Sequence, residues 1–273
     1  MNPNPIRAGG ARRLPAGLTC TRIQPQAPIR LVCFAHAGGS PAAFRNWPAA
    51  LAPDAEVWTV TLPGRAGRVR EPFATDWPPL VEEIAEVLAG QVSAPLVLFG
   101  HSLGALLAFE VARALTRNGT PPRHLVASGR VAPTRTIVPP AVPGDDRDLV
   151  ELLDVHYGGV PDQVRALPEL LAHFLPIARA DLELLRGYRY RPAAPLPCPI
   201  ASWIGESDPD AAPERLRPWA FETTARFTER TFPGGHFYLR DHEQSVLDAV
   251  ADLLDEDASG RDRADRGSRA TAV

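Results

Sequence analysis

The chain holds no lysine: its 29 basic residues are all arginine. That is a bias of composition with no functional meaning of its own. There is no basic surplus either, because 32 acidic residues leave a formal net charge of −3. A nucleic-acid binder concentrates a marked basic excess on one face, so that class is set aside. Cysteine is scarce, with Cys20, Cys33 and Cys198 only. The odd number, and the apolar strand-like surroundings of Cys33 and Cys198, fit reduced, partly buried thiols of a cytoplasmic protein. No apolar run reaches the length that spans a bilayer, and the opening residues MNPNPIRAGGARRLPAG lack the apolar centre of a secretory leader. Neither a membrane nor a nucleic acid is expected as a partner. Internal repeats are absent as well.

What is present is a chain of 273 residues, 45% of them hydrophobic, enough for one large domain or one domain with an insertion. Short apolar runs bounded by turn residues alternate with helical patterns, which predicts an α/β architecture with a mostly parallel sheet flanked by helices. Strands are expected at 30–34, 56–61, 96–99, 124–128, 200–204 and 227–232. Helices are expected at 41–51, 79–91, 103–117, 213–221 and 241–254. Ser40 before Pro41 reads as a helix cap, and Asn118-Gly119 as a helix stop. The alternation fails between Arg135 and Pro192, where a proline-rich entry leads to helical patterns at 146–155 and 167–189 with no strand between them. Such an insertion would sit over the sheet as a helical lid. The expected organisation is a core of 18–134 and 193–254, a lid at 135–192, and disordered ends at 1–17 and 255–273, where polar residues show no periodicity.

Gly100-His101-Ser102-Leu103-Gly104 follows one expected strand and opens one expected helix. That context turns a G-x-S-x-G match into a nucleophile elbow, a turn that lifts the serine hydroxyl above the sheet. A passive serine in a tight turn is the plain alternative. The amide of Leu103, at the helix start, points at the same spot and is a candidate oxyanion donor.

A serine nucleophile needs a base and an acid, and on an elbow of this kind they follow in the order acid, then histidine. His236 comes after the last expected strand, and Gly234 and Gly235 let its loop turn back over the carboxyl edge of the sheet. His156 and His173 fall in the lid pattern, and His242 reads as a solvated helix residue. The loop after the strand at 200–204 offers Glu206, Asp208 and Asp210. Asp208, at the loop tip between Gly205 and Pro209, is favoured, with Asp210 as a helix cap. A second oxyanion amide is expected from Ala37, in the glycine-rich turn after the first strand. His36 beside it reads as a residue that fixes this loop by hydrogen bonding.

His36–Ser40 (HAGGS), Leu62–Arg65 (LPGR), the GHSLG elbow, Leu175–Tyr190 (LPIARADLELLRGYRY), Gly205–Asp208 (GESD) and Pro233–Leu239 (PGGHFYL) stand in one register from about residue 29 to 254. In that order they resemble the stand-alone, type II thioesterases of polyketide and nonribosomal peptide synthetases, within the α/β-hydrolase fold. The resemblance implies a triad of Ser102, Asp208 and His236, with Ala37 and Leu103 as oxyanion amides. It implies hydrolysis of acyl groups from the phosphopantetheine thiol of acyl or peptidyl carrier proteins, which clears stalled or misprimed synthases. No metal or dissociable cofactor is implied.

Acyl preference is expected to follow the lid, with Leu171 and Phe174 as candidate selectivity residues. The loop 62–71 packs Arg65, Arg68 and Arg70 together, and at least one is expected to meet the phosphate of the arm or the acidic face of a carrier; a solvated loop is the alternative. Two other functions remain open on the same residues. One is a short-chain acyl-CoA thioesterase or carboxylesterase. The other is a non-catalytic binding protein on the same fold, which would usually have lost a triad member.

Overall fold

The computed structural model describes residues 11–91, 94–136, 138–156 and 159–270. Its strands are β1 (Arg12–Arg13), β2 (Leu18–Cys20), β3 (Ile29–Phe34), β4 (Ala55–Val60), β5 (Leu96–His101), β6 (His124–Ser128), β7 (Ile200–Gly205) and β8 (Phe227–Phe232). Its helices are α1 (Trp47–Ala50), α2 (Trp77–Gln91), α3 (Leu103–Arg117), α4 (Asp146–His156), α5 (Asp162–Arg165), α6 (Pro168–Gly187), α7 (Pro213–Leu216), α8 (Tyr238–Asp241) and α9 (Glu243–Ala270). The strands form one sheet in the order β1-β2-β4-β3-β5-β6-β7-β8. From β4 to β8 every neighbouring pair is parallel, and β1 and β2 add an antiparallel edge.

Helices cover both faces, so central strands such as β5 and β7 are buried along their whole length. Alternation along β3 sorts the core into two layers. Leu31 and Cys33 pack with Trp47 of α1 and with Val246 to Leu254 of α9. Val32 and Phe34 pack with α2 and α3. Cys20, Cys33 and Cys198 are all buried. Burial pushes the Cys20 thiol up to about 11, with the nearby Glu56 carboxylate adding to the rise.

β3 has β4 on one side and β5 on the other. The chain therefore leaves β3 and β5 toward opposite faces, and the parting opens a crevice at their carboxyl ends. The His36–Ser40 turn and Ser102 both emerge there. Between β6 and β7 lie α4, α5 and α6, whose buried Leu149, Leu153, Val160, Leu175, Ala178 and Leu182 form a separate small core.

All six expected strands are present within two residues of their expected ends. Five expectations need correction, one being the helix expected over 213–221, which is α7 followed by a 3-10 turn, Arg217–Glu222. The helix expected over 41–51 is a 3-10 turn, Pro41–Phe44, followed by α1. Pro48 has no N–H to donate, and its ring conflicts with the carbonyl four residues back, which favours a break at this point. The helix expected from 241 is divided at His242, whose ψ of 41° is not helical.

At the amino end, residues 1–10 lie outside the described residues. Residues 12–20 form a hairpin on the edge of β4, not a disordered segment. Its turn needs Gly17, at φ +67°, where a Cβ would fall 2.2 Å from the carbonyl oxygen of Thr61. At the other end, α9 continues past Leu254 to Ala270. A helix already nucleated against the core extends at little cost, one hydrogen bond per added residue. Residues 271–273 lie outside the described residues.

Candidate active site

Ser102 is a non-glycine residue at φ +57°, ψ −116°, and 4% exposed. A side chain in that strained region is tolerated where the surroundings over-determine it. Here they do. The Ser102 amide donates to the carbonyl of Ser128 at the end of β6 (2.8 Å), and its carbonyl accepts from Ala105 in the first turn of α3 (3.0 Å). A Cβ on Gly100 would lie 2.1 Å from the Gly104 oxygen, and one on Gly104 would lie 2.2 Å from the Phe34 oxygen. Both glycines are required because three strands of backbone meet at the elbow. Leu103 is the first residue of α3, so its N–H has no acceptor within the helix.

Asp208 and His236 are held by a second backbone junction. The amide of Glu206 donates to Phe232 (2.9 Å) and that of Ser207 to Gly234 (2.9 Å). A Cβ on Gly205 would sit 2.2 Å from the Gly235 oxygen. The two loops are thus joined where β7 and β8 end. His236 Nδ1 donates to Asp208 Oδ2 at 2.7 Å, and Asp208 is 6% exposed. The other carboxylate oxygen, Oδ1, accepts from the Asp210 amide at 2.9 Å. The alternatives go elsewhere: Asp210 pairs with Arg215, and Glu206 is exposed. Ser102, His236 and Ala37 line one small pocket together with Leu153, Pro161 and Phe174 of the segment between β6 and β7.

The turn bearing Ala37 is clamped from the insertion. Arg65 makes a bidentate ion pair with Asp181 of α6, one bond 2.6 Å long, and both residues are at most 3% exposed. Asp181 Oδ2 also accepts from the Gly38 amide (2.7 Å), and Arg65 donates to the Gly39 carbonyl (3.1 Å). Gly38, at φ +75°, leaves room that the Phe174 ring fills; a Cβ there would meet it at 2.7 Å. Arg65 therefore holds the turn that bears Ala37 and is buried away from any partner, which corrects its expected role.

Arg68 is corrected likewise. It bonds Glu71 and Glu83 and donates to the Thr61 carbonyl, leaving its guanidinium engaged within the protein. Arg70 is exposed. Phe174 lines the Ser102 pocket, whereas Leu171 packs against the small core of the insertion.

Three imidazoles cluster at the site. His101 and His236 have ring centroids 5.1 Å apart, and His36 lies 6.0 Å from His101. The His36 ring packs edge-on against Phe237 at 4.9 Å, and its Nδ1 is buried with no hydrogen-bond partner. It wedges the loop by packing, not by the expected hydrogen bond. His101 Nδ1 is 2.9 Å from Ser128 Oγ, which is 2.5 Å from the Tyr238 hydroxyl.

Burial lowers His36 to about 4, with the positive charges of His236, Arg240 and Arg65 adding to the effect. Burial also takes His101 well below the usual histidine value, aided by His236. Both are neutral at pH 7. Below pH about 6.5 the unfolded chain takes up protons that the folded chain refuses. The stability from keeping these rings neutral is therefore complete above that pH and lost as pH falls toward the folded values. Urea unfolding between pH 7.5 and 5 should show stability falling by up to about 1.4 kcal/mol per pH unit for each such histidine. Replacing both rings by Asn should flatten the profile in this window, above the carboxylate range. An equal slope in that variant would contradict the assignment.

Sequence reasoning missed the Arg65–Asp181 clamp and the His101–Ser128–Tyr238 chain. Asp181 carried a signal: it shares the apolar stripe of α6 with Ala178 and Leu185, three and four residues away. Among the described residues, no group of three His, Cys, Asp or Glu side chains could hold a metal ion. No described helix is long and apolar enough to cross a membrane.

A family model described as a thioesterase domain matches residues 29–255. The chain is 38% identical over 229 residues to a probable cadicidin biosynthesis thioesterase of Streptomyces griseus, covering 84% of this chain and 63% of that protein. It is 35% identical over 248 residues to thioesterase PikA5 of Streptomyces venezuelae, covering 88% of this chain and 86% of the relative. Among solved structures, the RedJ thioesterase from the prodiginine pathway of Streptomyces coelicolor superposes with a TM-score of 0.78 at 38% identity, over 84% of this chain and 91% of that one. The type II thioesterase BorB from the borrelidin cluster gives 0.77 at 36%, over 89% and 98%.

Proposed function

Because the chain belongs to the thioesterase domain family, we propose that it is a serine thioesterase that removes acyl groups from the phosphopantetheine thiol of acyl or peptidyl carrier proteins. The observation that carries this reading is the shared pocket of Ser102, His236 and Ala37, with His236 bonded to a buried Asp208. His236 Nε2 takes the Ser102 proton as the oxygen attacks the thioester carbonyl. The amides of Ala37 and Leu103 hold the tetrahedral oxyanion, and Asp208 keeps the Nδ1 proton in place and balances the imidazolium. Proton return to the departing thiolate leaves an acyl-enzyme. Water activated by His236 then releases the acid.

Three of the relatives named above belong to cadicidin, prodiginine and borrelidin biosynthesis, which supports an editing role that clears stalled or misprimed polyketide or peptide synthases. Residues 135–192 act as the lid, since Phe174 reaches the pocket from α6. Arg70 is the one arginine of the 62–71 loop left facing solvent toward a carrier.

A panel of acyl groups on carrier protein and on CoA tests the reading. Carrier-bound substrates should give the higher kcat/KM, and Phe174→Ala should change the ranking of chain lengths. A preference for CoA or for simple esters would instead favour a general acyl hydrolase.

A further inference from the structure

Ser102 and His236 are linked a second time, by side chains that the mechanism above leaves unused. His101, the residue before the nucleophile, lays its ring beside the base, with the two centroids 5.1 Å apart and the planes tilted by 42°. The bond to Asp208 fixes His236 at Nδ1 but leaves its ring free to swing about that point, so a wall on one face decides where Nε2 aims. His101 is that wall.

The wall is itself held. A Cβ on Gly129, at φ +60°, would lie 2.5 Å from His101 Cε1, so the ring lies tight against the chain where it leaves β6. His101 Nδ1 is 2.9 Å from Ser128 Oγ, which is 2.5 Å from the Tyr238 hydroxyl, and all three side chains are fully buried. Ser128 also receives the Ser102 amide on its carbonyl (2.8 Å), and the Tyr238 ring stacks on Phe232 at 4.8 Å. The chain therefore runs from the loop that carries the base to the elbow that carries the nucleophile.

Proton accounting gives the chain a direction. Burial raises the Tyr238 hydroxyl above its ordinary value, so it keeps its proton, and among the described residues its hydrogen-bond partner is Ser128 Oγ. If Tyr238 donates to Ser128, the Ser128 proton goes to His101 Nδ1, and the imidazole proton sits on Nε2. The opposite direction strands the Tyr238 O–H without an acceptor, the costlier outcome for a buried donor. His101 Nε2 makes no hydrogen bond of normal geometry, yet the His236 main chain lies near enough to favour a proton on this ring. Burial outweighs that and keeps His101 neutral at pH 7, so it sets no like charge against the imidazolium that forms at His236. Resting on the thioesterase reading above, we infer that Ser128 and Tyr238 are positioning residues, whose hydroxyls lock His101 in the Nε2–H form as the wall that aims His236 at Ser102.

The test follows wild type, Ser128→Ala and Tyr238→Phe in the full chain by two readouts. Nitrogen-15 spectra of histidine-labelled protein report which ring nitrogen carries the proton. Wild type should hold the His101 proton on Nε2. Ser128→Ala should lose that single form because no donor to Nδ1 is left, and Tyr238→Phe should give a mixture because the Ser128 hydroxyl can then turn either way. Rates on an acyl-carrier substrate, counted per acylatable site so that unfolded protein cancels, should show kcat about tenfold lower in Ser128→Ala, and less so in Tyr238→Phe, with KM unchanged. Should Ser128→Ala fail to fold, Tyr238→Phe, which keeps the stack on Phe232, decides. A wild-type proton on Nδ1 overturns the lock. A tautomer that changes in the variants while kcat per site does not, or a loss carried by KM, overturns the positioning role and leaves the thioesterase reading intact. An inactive wild type with the His101 proton on Nε2 would overturn the thioesterase reading and leave the lock standing.

Discussion

Asp208→Asn is expected to lower kcat by roughly ten-thousandfold while leaving the fold intact. Asparagine has the volume of the carboxylate, so the junction between the loops after β7 and β8 survives. Its amide can turn a donor toward His236 Nδ1, where the carboxylate accepts at 2.7 Å. The imidazole would then carry its proton on Nε2 and could not take one from Ser102. The melting temperature should change little and the acyl-carrier turnover greatly. Asp210→Asn is the control: its pair with Arg215 is partly exposed on both sides, and such pairs contribute at most about 1 kcal/mol. A Asp208→Asn enzyme within tenfold of wild type, or a larger loss at Asp210, would remove Asp208 from the mechanism.

Asp181→Ala should be the most destabilising single change at the site. It leaves the buried Arg65 guanidinium without its partner and the Gly38 amide without an acceptor. Breaking a buried ion pair from one side costs about 3–5 kcal/mol, because the remaining charge is desolvated and uncompensated. In a chain of this size that lowers the melting temperature by roughly 6–15 °C. Activity should fall further than stability explains, since the turn bearing Ala37 loses its clamp.

The double variant Arg65→Met/Asp181→Leu separates the two effects. With no unpaired charge left inside, much of the stability should return, but the oxyanion turn stays unclamped and turnover stays low. Full recovery of turnover in the double variant would mean that the clamp serves folding alone. An unchanged melting temperature in Asp181→Ala would contradict the buried pair itself.

Much of this site was legible before any coordinates because its signals are local. The elbow needs glycine two residues to either side of Ser102, and the structure gives the reason in the backbone oxygens that crowd Gly100 and Gly104. His236 announced itself by the glycines that turn its loop back. The strands were legible because burial on both faces makes them continuous apolar runs between turn residues.

What was not legible depends on distance in sequence or on brevity. Arg65 and Asp181 are 116 residues apart, and nothing near Arg65 distinguishes a buried clamp from a surface arginine. The three arginines of 62–71 look alike in sequence, and the fold gives them three different fates. The N-terminal hairpin has strands of two and three residues, too short to show alternation. The break at Pro48 could have been read from the missing N–H, and the helical composition of 41–51 hid it.

The central claim is that Ser102 carries the acyl group between carrier and water. The direct measurement is peptide mapping by mass spectrometry after wild-type enzyme is mixed with an acyl-loaded carrier protein and quenched in acid. An acyl ester is expected on the peptide containing Ser102. Ser102→Ala, with an unchanged circular dichroism spectrum, should show no adduct and only background hydrolysis. An adduct on another residue, or steady hydrolysis by Ser102→Ala, would contradict it.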